Sequence, residues 1–314
     1  MQAKGSKSKL LLDFEQSYKT APAVKAGKAM PFNTCSVKGT RTLQAAQTIT
    51  GRRDPVMPFA GNMDVAGDLS VPVDVRAMGN WLKAMFGAPA TTGAGPYTHT
   101  FKLGETMPSF GLEKRFEDIG QYIFCAGCKA SKLSMSVGGD AELVASIGIV
   151  GATESAPSAT PYQLDPACIA FDRFQNFQAS IEENGVALAN CTEFSLEMDF
   201  GLDTGNYVIG GQGTRNSLPE GVASISGTLS ALFEDATLLN KAVNMAETSL
   251  RLSFTSGSHS LSFLFPEVVL EQQAPAIEGP QGVKIQLPWK AYFGDDAVNN
   301  SAVVVTLTND VAGY

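Results

Sequence analysis

Apolar and polar residues alternate with a period of two along much of this 314-residue chain. The alternation is clearest in residues 133–137, 194–200, 250–254, 261–265 and 303–307. Because successive side chains of a strand point to opposite faces, this pattern predicts half-buried strands. Strands of this kind belong mostly to antiparallel sheets, so the pattern predicts a mainly β protein.

Two segments depart from the alternation and predict helices. The first precedes Gly87, a plausible C-cap, and the second follows Asp235, which can cap a helix N-terminus. The residues at helical spacing are Val75, Met78, Leu82 and Met85 in the first segment, and Leu238, Leu239 and Ala242 in the second. We therefore expect one helix in each half of the chain.

The surroundings of these helices indicate an internal repeat. Residues 67–74 resemble residues 227–234, and Gly227 follows Gly67 after 160 residues. In both copies a strand, a long loop, a strand and a helix precede further strands, of which 97–103 and 249–255 come first. The fold class predicted is mainly β, with two tandem β-rich units, each with one flanking helix. The units span 1–155 and 165–314, with a linker rich in Ser, Pro and Ala within 153–165.

The long loops, 41–63 and 201–220, are candidates for a role in assembly. Loops longer than about 12–15 residues without their own secondary structure are usually functional or disordered. Apolar side chains argue against disorder and favour docking onto a neighbouring molecule. The candidate docking residues are Ile49, Arg53, Val56, Met57 and Phe59 in the first loop, and Tyr207, Ile209, Arg215 and Leu218 in the second.

The formal net charge of −8 argues against a protein that grips nucleic acid. Acidic residues share one strand face at Asp64 and Asp68, and another at Glu197 and Asp199. This pattern allows either the solvated side of a sandwich or a polar to acidic wall that an anionic molecule passes without sticking. We expect no signal peptide and no transmembrane helix, because the long apolar stretches that these need are missing. Five cysteines, an odd number, predict reduced thiols in a protein folded in a cytoplasm.

Nothing in the sequence predicts catalysis, a cofactor or a metal site. Cys125 and Cys128 form a lone CxxC, whereas a zinc site needs more ligands at short spacing. The histidines, His99 and His259, lie far apart and near no other candidate ligand. The glycine-rich runs do not open helices and lack the lysine of a phosphate-binding loop. We therefore expect a protein that is not an enzyme.

The order of several motifs resembles the tail tube proteins of phages with long, non-contractile tails, over roughly residues 10–314. The opening resemblance is Leu11-Leu-Asp-Phe-Glu-Gln-Ser-Tyr18-Lys-Thr20, and the segment 61–73, GNMDVAGDLSVPV, resembles the strand after the family's stacking loop. Further matches are residues 96–101, 127–134 and 233–239. The resemblance implies that each unit is a β-sandwich or half-barrel with a flanking helix, and that the chain is a structural subunit. Six copies of the unit would close a ring, with DNA passing through the lumen.

This resemblance also implies roles and partners. Residues 41–63 and 201–220 would stack rings, and Asp64, Asp68, Glu197 and Asp199 would line the lumen. Two units per chain predict a trimer with pseudo-six-fold symmetry; a hexamer is the alternative. Other partners implied are a tape-measure protein and the distal tail and tail terminator proteins, with no membrane. The virion tail would be the location, after assembly in the host bacterial cytoplasm. The alternatives are the tube of a contractile or secretion particle, or a β-sandwich binding module.

Overall fold

The computed structural model describes residues 2–22, 24–164, 166–277 and 279–314, in which strands dominate. Helices α1 (Met78–Phe86) and α2 (Thr237–Val243) lie where the helical spacing predicted them. The strands described are β1 (Ser8–Phe14), β2 (Lys28–Met30), β3 (Thr34–Cys35), β4 (Lys38–Gln44), β5 (Phe59–Pro72), β6 (Ala90–Thr92), β7 (Tyr97–Lys102), β8 (Phe110–Phe116), β9 (Gln121–Val137), β10 (Val144–Gly151), β11 (Thr153–Glu154), β12 (Ala167–Cys168), β13 (Ala179–Glu183), β14 (Val186–Ala187), β15 (Cys191–Asp199), β16 (Ser224–Leu232), β17 (Thr248–Ser256), β18 (His259–Leu270), β19 (Lys284–Ala291) and β20 (Val304–Asn309). The mainly β fold class is confirmed.

One antiparallel sheet, here called the main sheet, runs through both halves of the chain. Its order is β4–β5–β10–β9–β15–β16–β19–β18. The first four strands come from the first predicted unit and the last four from the second. The β9–β15 pair therefore joins the two halves through backbone hydrogen bonds.

The strand pairing of the first half recurs in the second half. A further layer is formed by β2–β1–β8 and the first part of β9, and its counterpart by β14–β13–β17 and the first part of β18. By these pairings β17 corresponds to β8, whereas the sequence order had matched it with residues 97–103. The match was wrong because β6 and β7 form an additional hairpin in the first half, which pairs with the C-terminal strand β20.

The two glycines that revealed the repeat hold equivalent places in it. A Cβ atom on Gly67 would lie 2.6 Å from the backbone of Ser36. A Cβ atom on Gly227 would overlap the carbonyl oxygen of Ser195 and the ring of Trp289. In each half the neighbouring strand therefore approaches so closely that only glycine fits.

The next positions along the chain repeat a hydrogen bond as well. The backbone N–H of Asp68 donates to the Ser36 hydroxyl at 2.8 Å. The backbone N–H of Thr228 donates to the Ser195 hydroxyl at 3.1 Å. A serine thus accepts the hydrogen bond of the same backbone position in both halves. The residues of the two halves can be aligned from these points.

The core lies between the main sheet and the layers that cover its apolar face. The ring of Trp81 on α1 meets Phe110 edge-on, and Trp289 stacks on Phe194. All residues of α1 except Lys83 are buried, whereas Ala242 is the buried residue of α2. Helix α1 is therefore packed more deeply into the protein than α2.

The two halves are interlocked more closely than the predicted tandem arrangement suggests. Besides the β9–β15 pair, β20 pairs with β7, and β12 pairs in parallel with β2. The predicted linker is also fastened: it begins with β11, which pairs with β9, and the Glu113 carboxylate accepts the backbone N–H groups of Tyr162 and Gln163 at 2.9 Å. Met1 and Asp165, at which the predicted units begin, lie outside the described residues, and the division into units 1–155 and 165–314 stays a prediction.

Candidate functional site

The polar face of the main sheet is the first candidate surface. One row of directly opposed residues crosses six strands of this face. The row consists of Ser70, Ser146, Ser134, Glu197, Ser226 and Lys290. Alternate residues of the same strands point into the core, so the period of two in the sequence correctly separates the two faces.

Hydroxyl groups dominate the middle of this polar face. They line an open groove of about 540 Å³, here called the hydroxyl groove. The contributing side chains are Ser134, Ser136, Ser146, Ser195, Ser226 and Thr228. Short neutral hydroxyls offer a solvated surface without a cluster of cations that would hold phosphate groups.

Three of the predicted acidic residues lie on this face around a lysine. Lys132 lies opposite Asp199 in the β9–β15 pair and forms an ion pair with Glu197. The hydrogen bond to Glu197, with the charges of Asp199 and Asp68 nearby, raises the pKa of Lys132. This lysine was not among the predicted residues, although its position before the core residue Leu133 places it on the polar face. Acidic charge here is therefore partly neutralised.

Asp64, the fourth predicted acidic residue, is held by Arg215, whose side chain is buried. The Arg215 guanidinium donates to the carbonyl oxygens of Val65 at 3.2 Å, Gly151 at 2.8 Å and Thr204 at 2.9 Å, and it forms an ion pair with Asp64. Arg215 comes from the second half of the chain, and Val65 and Gly151 belong to the first. Its contacts therefore anchor segment 201–220 to the middle of β5 and to the end of β10.

Further contacts hold segment 201–220 against its own chain. The Tyr207 hydroxyl donates to the Met63 carbonyl at 3.0 Å, and the Met63 N–H donates to the carbonyl of Gly213 at 2.7 Å. Leu218 is 1% exposed, whereas Ile209 is completely exposed. Of the docking residues predicted in this segment, Tyr207, Arg215 and Leu218 are thus bound within the chain, and Ile209 is free to contact a neighbour.

Segment 41–63 is arranged differently. Strands β4 and β5 extend into it and remain paired up to Gln44 and Phe59, so only 45–58, here called the hairpin tip, lies outside strands. The polar residues of β4 gave no alternation that would have predicted this extension. Ile49 is 95% exposed and Met57 89%. Of the other predicted docking residues, Arg53 and Phe59 are exposed and Val56 is partly exposed.

Residues with catalytic potential are buried or isolated. Cys125 and Cys128 lie in β9, and burial raises the pKa of Cys125 to about 12 and that of Cys128 well above its usual value. His99 is buried against the Thr91 hydroxyl and the Val311 carbonyl, each at 2.9 Å. Within the described residues, no group of three or more His, Cys, Asp or Glu side chains could hold a metal ion. The helices described there are too short to cross a membrane.

Comparison with known proteins places this arrangement in a family. A sequence comparison with individual curated proteins found no match. The family model described as phage tail tube protein matches residues 5–291, which is most of the chain. The mainly β fold and the family match agree with the resemblance found in the sequence motifs. The chain therefore belongs to the phage tail tube protein family.

Proposed function

We propose that this tail tube subunit forms closed rings by continuing its main sheet into the next chain, and that the stacked rings conduct DNA during ejection. The β9–β15 pair is the observation that carries the proposal. It joins the last strand of the first half of the sheet to the first strand of the second half. The same joint, made between chains, would link β18 and the residues that follow it to β4 of a neighbour.

Both ends of the main sheet are open to such a contact. In the described residues β4 pairs on one side only, with β5. At the other end, β18 pairs with β19 only through Val268, Val269 and Leu270, which leaves one side of Lys284–Leu287 unpaired. Unpaired strand edges are templates for pairing with another chain. Because the two edges differ, the contact is head-to-tail, and such contacts close into rings when the rotation allows.

The geometry favours three chains in each ring over the alternative of six. Three chains would supply about 24 strands, which at roughly 4.8 Å spacing give a circumference of at least about 115 Å. The corresponding diameter of roughly 37 Å, measured between backbones, admits a DNA duplex. Six chains would double this diameter and leave a lumen far wider than a duplex.

The polar face of the sheet would line the lumen, with Asp64, Asp68, Glu197 and Asp199 among its residues. A surface that conducts DNA must not bind phosphate, and basic surfaces bind it strongly through counterion release. The hydroxyl groove supplies neutral contacts, and the charges around Lys132 include more carboxylates than amines. DNA would therefore pass without specific binding, repelled over roughly 8 Å at physiological salt.

Stacking of rings would use the hairpin tip and the exposed part of segment 201–220. Ile49, Met57 and Ile209 present apolar side chains to solvent, and a neighbouring ring would bury them. The tube would assemble in the host cytoplasm around a tape-measure protein, between distal tail and tail terminator proteins. The virion would carry a long, non-contractile tail. A contractile or secretion particle is the alternative.

The experiment that tests the ring is electron microscopy of the purified protein, combined with native mass spectrometry. We expect rings or tubes whose class averages show six similar lobes, with a ring mass of three 33.1 kDa chains. A ring of six chains would overturn the stoichiometry. A protein that stays monomeric at all concentrations, with and without tail initiation proteins, would overturn the ring proposal itself.

A further inference from the structure

We propose that an ion pair between Lys38 of one chain and Glu271 of the next closes the joint between neighbouring chains. This inference rests on the proposed ring. It follows from the internal β9–β15 joint, where Lys132 pairs with Glu197. The joint between chains would contain the same pair with its charges exchanged.

The position of Lys38 matches that of Glu197. Lys38 lies opposite Ala66 in the β4–β5 pair, and Glu197 lies opposite Ser226 in the β15–β16 pair. Ala66 and Ser226 each directly precede one of the two equivalent glycines. Lys38 on β4 therefore occupies the place that Glu197 occupies on β15.

The position of Glu271 matches that of Lys132. Lys132 lies opposite Gly148. Gly148 directly precedes Ile149, which pairs with Gly67. The Glu271 N–H donates to the Pro288 carbonyl at 2.7 Å. Pro288 directly precedes Trp289, which pairs with Gly227. Glu271 therefore follows β18 at the place that Lys132 occupies on β9.

The internal joint supplies the geometry of the contact. Lys132 lies opposite Asp199, and its ion pair with Glu197 runs diagonally across the two strands. Transferred to the joint between chains, the diagonal connects Glu271 with Lys38 of the neighbour. A diagonal ion pair also opposes slippage in one direction, because a shift by two residues that way carries the charges further apart.

Both side chains are available for this contact. Lys38 and Glu271 are exposed, and neither forms an ion pair with another residue of the described chain. They lie at opposite ends of the eight-stranded main sheet, Lys38 on β4 and Glu271 directly after β18. The two ends are seven strand spacings or roughly 34 Å apart along the sheet. Any direct link between them must therefore join two chains.

Carbodiimide cross-linking tests the contact, because this reagent joins an amine and a carboxylate that already touch. Tubes would be assembled from an equal mixture of ¹⁴N- and ¹⁵N-labelled chains, cross-linked and digested for mass spectrometry. We expect a Lys38–Glu271 peptide with mixed isotopes in tubes and none in unassembled protein. The internal Lys132–Glu197 link, with unmixed isotopes in both samples, is the control.

The outcomes separate this inference from the proposed ring. Rings that yield the control link without the Lys38–Glu271 link would overturn the ion pair and leave the ring intact. Failure of the unmodified protein to form any ring would overturn both.

Charge exchange provides a second test. Lys38→Glu and Glu271→Lys should each raise the concentration needed for assembly at least about tenfold, since like charges then meet across the joint. The double variant should restore assembly, and Lys25→Glu, at another exposed lysine, should leave it unchanged. A double variant that assembles no better than the single variants would overturn the pair, provided that circular dichroism shows all of them folded.

Discussion

The hairpin tip and segment 201–220 have similar sequences in kind but different structural roles. Both are long and contain glycine, arginine and scattered apolar residues. The tip extends into solvent with Ile49 and Met57 exposed, whereas segment 201–220 folds back onto its own chain around the buried Arg215. The difference shows that one buried side chain with all of its hydrogen bonds made can hold a loop against its own chain, even where the loop was predicted to contact a neighbour.

The contacts of Arg215 in segment 201–220 and of the arginines in the hairpin tip explain this difference. Each nitrogen of the Arg215 guanidinium has an acceptor within the chain. In the tip, Arg53 is exposed, and the Arg52–Asp54 ion pair is also exposed to solvent. Exposed pairs of this kind contribute at most about 1 kcal/mol, because water screens the charges and two long side chains lose entropy.

The largest effect is expected from Arg215→Ala. The change removes a buried cation and leaves the carbonyls of Val65 and Gly151 without this donor, so the free energy of unfolding should fall by about 3–5 kcal/mol. Urea denaturation followed by circular dichroism measures this loss. Arg53→Ala in the tip is the matched control and should change stability by less than about 0.5 kcal/mol. Equal losses in both variants would contradict the distinction between the two loops.

A smaller effect is expected from Tyr207→Phe. The variant loses the hydroxyl that donates to the Met63 carbonyl at 3.0 Å, and a hydrogen bond of this type contributes about 1 kcal/mol. Thermal unfolding should show a correspondingly lower midpoint. Hydrogen exchange should be faster at the Met63 amide, whose partner Gly213 lies in the same segment. Unchanged exchange at Met63 would show that the segment is held without this hydroxyl.

The smallest effect on stability, and a strong effect on assembly, is expected from Ile49→Ser combined with Met57→Ser. Both side chains are almost completely exposed in the chain, so the free energy of unfolding should change by less than about 0.5 kcal/mol. If the tip stacks rings, the variant should form single rings and few tubes in negative-stain images. Tubes of normal length would show that these two residues do not stack rings.

The sequence was sufficient to predict the strands with clear alternation, both helices and the two faces of the strands that carry this alternation. Phe194, Leu196 and Met198 are buried, while Glu197 and Asp199 lie on the polar face, as the period of two requires. This success has a simple reason, since burial of one face is a local property of each strand. The extension of β4 to Gln44 escaped prediction because this edge strand is exposed on both faces and carries no alternation.

The partners of individual side chains could not be predicted in the same way. Arg215 and Asp64 are separated by 151 positions. No periodicity in the sequence indicates that the folded chain brings them together. The alternation in the sequence places Lys132 on the polar face, but its ion pair with Glu197 depends on the register of β9 against β15. Long-range register, in contrast to strand identity, requires the structure.

Gly67 and Gly227 also bear on how such a chain can evolve. Most positions in the two halves already carry a Cβ atom, so another side chain can replace the one that is present. At these two glycines the space for a Cβ atom is already filled by a neighbouring strand, so each of the other amino acids adds an atom where none fits. Mutation can erase the likeness of the two halves almost everywhere else, and these two positions retain it.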